Sequence, residues 1–140
     1  MSRSGYSDDL DNNWTLIRYR GMVASAIRGK RGQGFLRDLL EALDTMPNKR
    51  LIASNLESNG EVCAIGSLGK KRGIDMGKLD PFDQESVAGA FGIAPCLSAE
   101  IAFENDQDFF YSTETPEQRW RRMRAWVSDQ IKPALTTPEE

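Results

Sequence analysis

Residues 10–46 read LDNNWTLIRYRGMVASAIRGKRGQGFLRDLLEALDTM, and this stretch sets the fold. It holds the densest apolar supply in the chain: Trp14, Leu16, Ile17, Met22, Val23, Ile27, Phe35, Leu36, Leu39, Leu40 and Leu43. Leu10, Trp14, Ile17, Gly21, Ala24 and Ile27 recur every three or four residues, which is helix period. Phe35, Leu36, Leu39, Leu40 and Leu43 repeat the pattern before Pro47. Two amphipathic helices therefore follow one another. Ser7 caps the first, with Asp8 and Asp9 in its first turn, and Gly29 ends it. Gly21, Ala24 and Ala26 are small enough to let another helix approach closely.

The joint between them, Arg28-Gly29-Lys30-Arg31-Gly32-Gln33-Gly34, is short, basic and rich in glycine. Its plain reading is a flexible helix–helix turn with solvated charges. Its functional reading is a contact for phosphate or an acidic protein, where backbone N–H groups and cationic side chains converge. The glycine spacing fits neither a P-loop nor a dinucleotide fingerprint, and a helix rather than a strand precedes it. From Arg18 to Arg37 there is no acid.

Beyond Pro47 the elements shorten. Asn59-Gly60 between apolar runs predicts a small β-hairpin, although Val62 to Leu68 also reads as a helix start. Lys70-Lys71-Arg72 is a second basic cluster, of the kind that ends a helix. Asp80-Pro81 opens the next helix, with Asp80 as cap and Val87, Ala88, Phe91 and Ile93 as its apolar face. Gly92 closes that helix and Pro95 opens another, giving an angled pair with the outline of a helix-turn-helix. Its second helix places Ser98 at an expected apolar position. It also carries Glu100, Glu104 and Asp106 without a base, a poor match to a polyanion. Glu104-Asn105-Asp106-Gln107-Asp108 reads as an acidic surface loop, and Phe109-Phe110-Tyr111 as an anchor folded on the core or on a partner. Thr115-Pro116-Glu117-Gln118 is a capping box for the last helix. That helix carries a Trp120, Met123, Val127, Ile131 stripe widened by Trp126, with Arg119, Arg121, Arg122 and Arg124 mostly on the other side. Pro133 ends it.

The expected fold is mainly α: a compact bundle of about five helices with a small β-hairpin near residues 49–65. It forms a single domain over residues 1–140, with 1–7 and 133–140 flexible. Hydrophobic content of 39% and charged content of 28% are ordinary for a soluble globular domain. No apolar run approaches a membrane span and no signal segment opens the chain, so a cytoplasmic protein without a membrane partner is expected. Cys63 and Cys96 read as buried thiols, a disulfide being the alternative.

The chain has no histidine, which removes Ser-His and Cys-His nucleophile pairs, HExxH zinc sites and imidazole acid–base work. The net charge is only −3 but it is polarised: Asp75 to Glu117 hold ten acids against one base, Lys78. Opposite faces suggest a protein that binds a partner or itself, a homodimer included.

Arg28-Gly29-Lys30-Arg31-Gly32-Gln33, Glu61-Val62-Cys63-Ala64, Arg72-Gly73-Ile74-Asp75-Met76, Phe91-Gly92-Ile93, Glu104-Asn105-Asp106 and Glu114-Thr115-Pro116-Glu117-Gln118-Arg119-Trp120 carry a resemblance that runs over the whole chain. With them the chain resembles a family of small, uncharacterised proteins of phages and prophages of Gram-negative bacteria. The resemblance implies context rather than chemistry, because such proteins often modulate a host machine or counter host defence. The leading expectation is a non-enzymatic binder of a host protein or a protein–nucleic-acid complex, of inhibitor or anti-defence type. Its contact residues would be Arg28, Lys30, Arg31, Lys70, Lys71, Arg72, Phe110, Tyr111, Arg119 and Arg122. No catalytic residue, cofactor or resident metal is expected. The alternatives are a nucleic-acid binder using the basic clusters, and a carboxylate enzyme with a divalent metal at Glu104, Asp106 and Asp108.

Overall fold

The computed structural model describes residues 13–106 and 113–133. The Ser7 cap, Phe109-Phe110-Tyr111 and the two terminal segments expected to be flexible lie outside the described residues, save Pro133. Among the described residues the chain forms six α-helices and one hairpin. These are α1 (Asn13–Arg28), α2 (Lys30–Thr45), β1 (Glu57–Ser58), β2 (Glu61–Val62), α3 (Ala64–Arg72), α4 (Gln84–Phe91), α5 (Pro95–Asp106) and α6 (Pro116–Gln130), with a 3-10 turn at Met76–Lys78. The strands pair antiparallel, Glu57 opposite Val62 and Ser58 opposite Glu61. Asn59 and Gly60 both have positive φ, 53° and 80°, as a type I′ turn requires.

The core is built on α2. Its Leu36, Leu39 and Leu43 are fully buried against Leu51, Leu68, Leu97, Ile101, Met123 and Val127. α3 and α6 pack on α2, α4 packs on α5, and α1 lies across α5 and the start of α2. Trp120 and Trp126 are half-buried against this core, and the Trp120 indole donates to the Leu43 carbonyl (3.1 Å).

Local signals account for most element ends. Thr115 caps α6 through Gln118 N–H (3.1 Å) while the Gln118 side chain accepts from Thr115 N–H (2.9 Å), with Pro116 at the first position. Gly73 and Gly92 close α3 and α4 in the left-handed region, at φ 73° and 72°. The hairpin and the helix start both form, one after the other: β2 ends at Val62, Cys63 follows, and α3 begins at Ala64. The Cys63 sulfur accepts from Gly66 N–H (3.3 Å) as the cap. Burial pushes the Cys63 thiol up to about 12. Cys63 and Cys96 are both buried free thiols in separate clusters.

Three expectations need correction. The basic glycine-rich segment is not a flexible turn. Only Gly29 breaks the helix, and Lys30, Arg31, Gly32, Gln33 and Gly34 already belong to α2. Asp80 does not cap α4; its carbonyl accepts from Asp83 N–H (3.0 Å) in a turn, and Asp83 caps the helix three residues later through Ser86 N–H (3.2 Å). Glu104, Asn105 and Asp106 are not a surface loop but the last turn of α5, and Asn105 is buried.

α4 and α5 meet at 106°, within the range of a helix-turn-helix. Cys96 to Ile101 of α5 are all buried, so this helix has no free face to lay in a groove. Ser98 sits in the core because its hydroxyl donates to buried Gln84 (2.8 Å). No single helix among the described residues is long and apolar enough to cross a membrane.

Candidate functional site

Arg119 and Arg122 of α6 were expected to meet a partner, and the fold uses both internally. Arg119 is buried. Its Nε donates to the Asn105 carbonyl (3.0 Å), its Nη1 to the Leu51 carbonyl (3.4 Å), and Glu114 lies at 3.4 Å. Arg122 holds Glu114 with two bonds, 2.7 and 3.0 Å, and donates to the Glu104 carbonyl (2.6 Å). These arginines satisfy the C-terminal carbonyls of α5, which no intrahelical donor reaches. Helix period hides this, because a guanidinium in the core and one in water look alike in a sequence.

The Glu114 carboxylate is held below its usual value, first by the Arg122 hydrogen bond and then by the charges of Arg122 and Arg119. A depressed carboxylate adds stability that is complete above its unfolded value of about 4.5 and is lost as pH falls through the native one. Wild type and Glu114→Gln should therefore differ in denaturant midpoint at pH 7, and the gap should close below about pH 4.5. A gap that stayed constant with pH would show that the carboxylate charge is not what holds this corner.

The Lys70-Lys71-Arg72 cluster is partly neutralised. Acids three residues apart on α2 face bases from two other helices: Asp38 meets Arg72 (3.1 Å), Glu41 meets Lys71 (3.5 Å) and Asp44 meets Arg124 (2.7 Å). Arg72 also stands over the Phe35 ring (5.8 Å), and Lys70 donates to the Gly60 carbonyl (3.3 Å). Arg124 holds the Asp44 carboxylate below its usual value through its hydrogen bond. Such exposed pairs add little to stability, but they cancel field. A cleft of about 750 Å³ opens between the end of α2, the hairpin and α3, lined by Lys70, Lys71 and Arg50. Arg50 in turn binds Glu61 (2.9 Å) and Glu117 (3.0 Å), so the cleft has little net charge.

Arg28, Lys30 and Arg31 are placed differently. All three are exposed at the α1–α2 corner, as are Arg18 and Arg20 on α1. Among the described residues no ion pair involves any of the five. The described bond of Arg28 is to the Ser25 hydroxyl (3.3 Å). No side chain caps the N-terminus of α2, so its first-turn N–H groups add positive partial charge here. The corner is rigid. Buried Gln33 donates to the carbonyls of Ile27 (2.8 Å) and Gln130 (3.0 Å) and accepts from Lys132 N–H (2.8 Å), tying α1, α2 and the end of α6. The same face of α1 exposes large apolar groups from the apolar supply of that stretch: Trp14 is 69% exposed, Ile17 57% and Met22 54%. A groove of about 390 Å³ runs beside them between α1, α5 and α6, with Arg20 and Arg28 on its rim and Val23, Ile27 and Trp126 in its wall.

The three basic clusters thus differ in their surroundings. The first is open, the second is matched at Lys71 and Arg72, and in the third Arg119 and Arg122 bond internally, Arg124 pairs with Asp44 and Arg121 is exposed. Phe110 and Tyr111 lie outside the described residues. For the metal alternative, Asp106 accepts from Ser54 N–H (2.9 Å) and the Asn105 amide (2.9 Å), and Asp108 lies outside the described residues. Among the described residues no group of three or more acids or cysteines is placed to hold a metal ion. Comparison of the chain with protein-family models, curated proteins and solved structures finds no match.

Proposed function

We propose that this chain is a non-enzymatic binding protein that docks an acidic protein surface on α1 and the α1–α2 corner. One observation carries the reading. The described ion pairs match Arg50, Lys71, Arg72, Lys78, Arg119, Arg122 and Arg124 to acids; Arg37, Lys49, Lys70, Arg121 and Lys132 also have none, but Arg18, Arg20, Arg28, Lys30 and Arg31 are exposed together in one acid-free run on α1 and its corner with α2. Trp, Met and Arg are the residue types enriched at interface cores, and here they share one exposed face. Cations around apolar anchors fit a partner with carboxylates around an apolar patch. The resemblance to phage and prophage proteins supports a narrower form. In it the partner is a host protein or a protein–nucleic-acid complex, and occupancy inhibits it, as an anti-defence protein would.

Capture from nuclease-treated bacterial lysate tests the reading. The wild type should retain a defined protein that high salt releases, and Arg18→Glu/Arg28→Glu/Arg31→Glu should lose it. Equal capture by both, or none by either, would overturn the proposal. A second reading rests on Trp14, which stands among arginines where a base could stack. It predicts a complex with single-stranded oligonucleotide that weakens steeply with salt. The matched and buried charges of the other two clusters count against it.

A further inference from the structure

Four large apolar side chains on the described surface are mostly exposed, and they divide by charge. Trp14, Ile17 and Met22 stand among the arginines of α1, whereas Phe82, 57% exposed, stands among acids. Asp80, Asp83 and Glu85 flank it and are themselves exposed, and Lys78 is the one base between Asp75 and Asp106. The Phe82 turn is fixed. Phe82 N–H donates to the Asp80 carboxylate (2.9 Å), and the Asp83 carboxylate accepts from both Ser86 N–H (3.2 Å) and the Ser86 hydroxyl (2.9 Å). Those bonds also hold Asp83 below the usual carboxylate value.

The receiving surface has a matching form. Trp14, Ile17, Gly21, Ala24 and Arg28 recur at alternating steps of three and four, which is one stripe of a helix. The space above Gly21 is open, with no atom within 4 Å of where a Cβ would stand, so a ring can approach the backbone between Ile17 and the arginines.

We infer that copies of this chain associate head to tail, the Phe82 turn of one seating on the α1 face of the next. Asp80, Asp83 and Glu85 then face Arg18, Arg20 and Arg28. This rests on the reading of α1 as a docking face and names an occupant for it. The second copy is chosen because it supplies what that face lacks, an apolar knob ringed by carboxylates. Pairing α1 with α1 instead would bring two sets of arginines together, which is repulsive. Because the two patches differ, the contact is heterologous, and association continues to a ring or an open chain rather than stopping at a two-fold dimer.

Sedimentation velocity of the full chain tests this. Mass should rise with protein concentration at about 0.1 M salt and fall to the monomer near 1 M, as the screening length drops from about 10 to about 3 Å. Phe82→Ser/Glu85→Lys removes the knob and Ile17→Ser/Arg18→Glu removes the socket, all at exposed positions. Each variant alone should be monomeric. Mixed, they should form a discrete 1:1 dimer, since one intact knob and one intact socket remain. A wild type that stays monomeric at low salt, or variants that still associate alone, would overturn the inference. If a monomeric wild type still captures an acidic partner through α1, only this inference fails. If reversing the α1 charges changes neither property, the docking reading fails with it.

Discussion

Arg119→Ala should cost the fold about 1–3 kcal/mol, the usual penalty for leaving a buried acceptor without its donor, since Arg122 still holds the Glu114 charge. Three acceptors would lose a donor at once: the Asn105 carbonyl, the Leu51 carbonyl and the Glu114 carboxylate. The Arg119 side chain is only 8% exposed and that of Glu114 15%, so water cannot fully replace the guanidinium. A domain of this size is stable by about 5–15 kcal/mol, so the loss is a large share of the whole. Arg121→Ala, two residues along the same helix and exposed, should stay within about 0.5 kcal/mol of wild type. Urea midpoints of the two variants make the comparison. Equal midpoints would mean that Arg119 does not tether α6 to α5.

Gly32→Ala and Gly34→Ala should move stability in opposite directions. A Cβ on Gly32 would lie 1.8 Å from the Ala26 carbonyl oxygen and 2.9 Å from its carbon, both backbone atoms that no rotamer change can clear. α1 and α2 would have to part, yet Gln33 ties the corner to Ile27, Gln130 and Lys132. Overpacking of this kind costs about 1–3 kcal/mol where side chains can give, and the upper end or more is expected where only backbone is met. Gly34 sits in the same helix with nothing within 4 Å of its would-be Cβ. There alanine should stabilise by about 0.5–1 kcal/mol, because a helical glycine gives up more backbone freedom on folding. Thermal melts would show one variant below wild type and the other above it. A small, equal change in both would mean that the helices do not approach as closely as the Gly32–Ala26 contact requires.

Legibility of the fold tracked distance along the chain. The Thr115-Pro116-Glu117-Gln118 cap, the Asn59-Gly60 turn and the Gly92–Pro95 break are each decided by atoms within four residues of one another. The start of α4 was not, although Asp80 and Asp83 are equally good caps by type. Helix begins at Gln84, whose side chain reaches Ser98 on α5. That contact, with Asp80 already closing its own turn, favours the later start. The 28–34 segment misled for a related reason. Three glycines and three bases describe a loop by composition, but Gly32 is there for a close helix contact and Gln33 for a three-way tie.

The candidate site was half legible. Arg28, Lys30 and Arg31 stood out as an acid-free run, and they remain exposed without an ion pair among the described residues. The exposure of Trp14, Ile17 and Met22 was not legible, because helix period says only that a face is apolar, not whether something covers it.

The amino-acid sequence by itself determined that this chain is a helical domain with one short hairpin, since propensity, capping and turn chemistry act between near neighbours. Which cations are left without an ion pair among the described residues was decided only by the tertiary structure. Asp38 finds Arg72 34 residues away and Asp44 finds Arg124 80 residues away, and charges are cancelled by what packing brings within 4 Å.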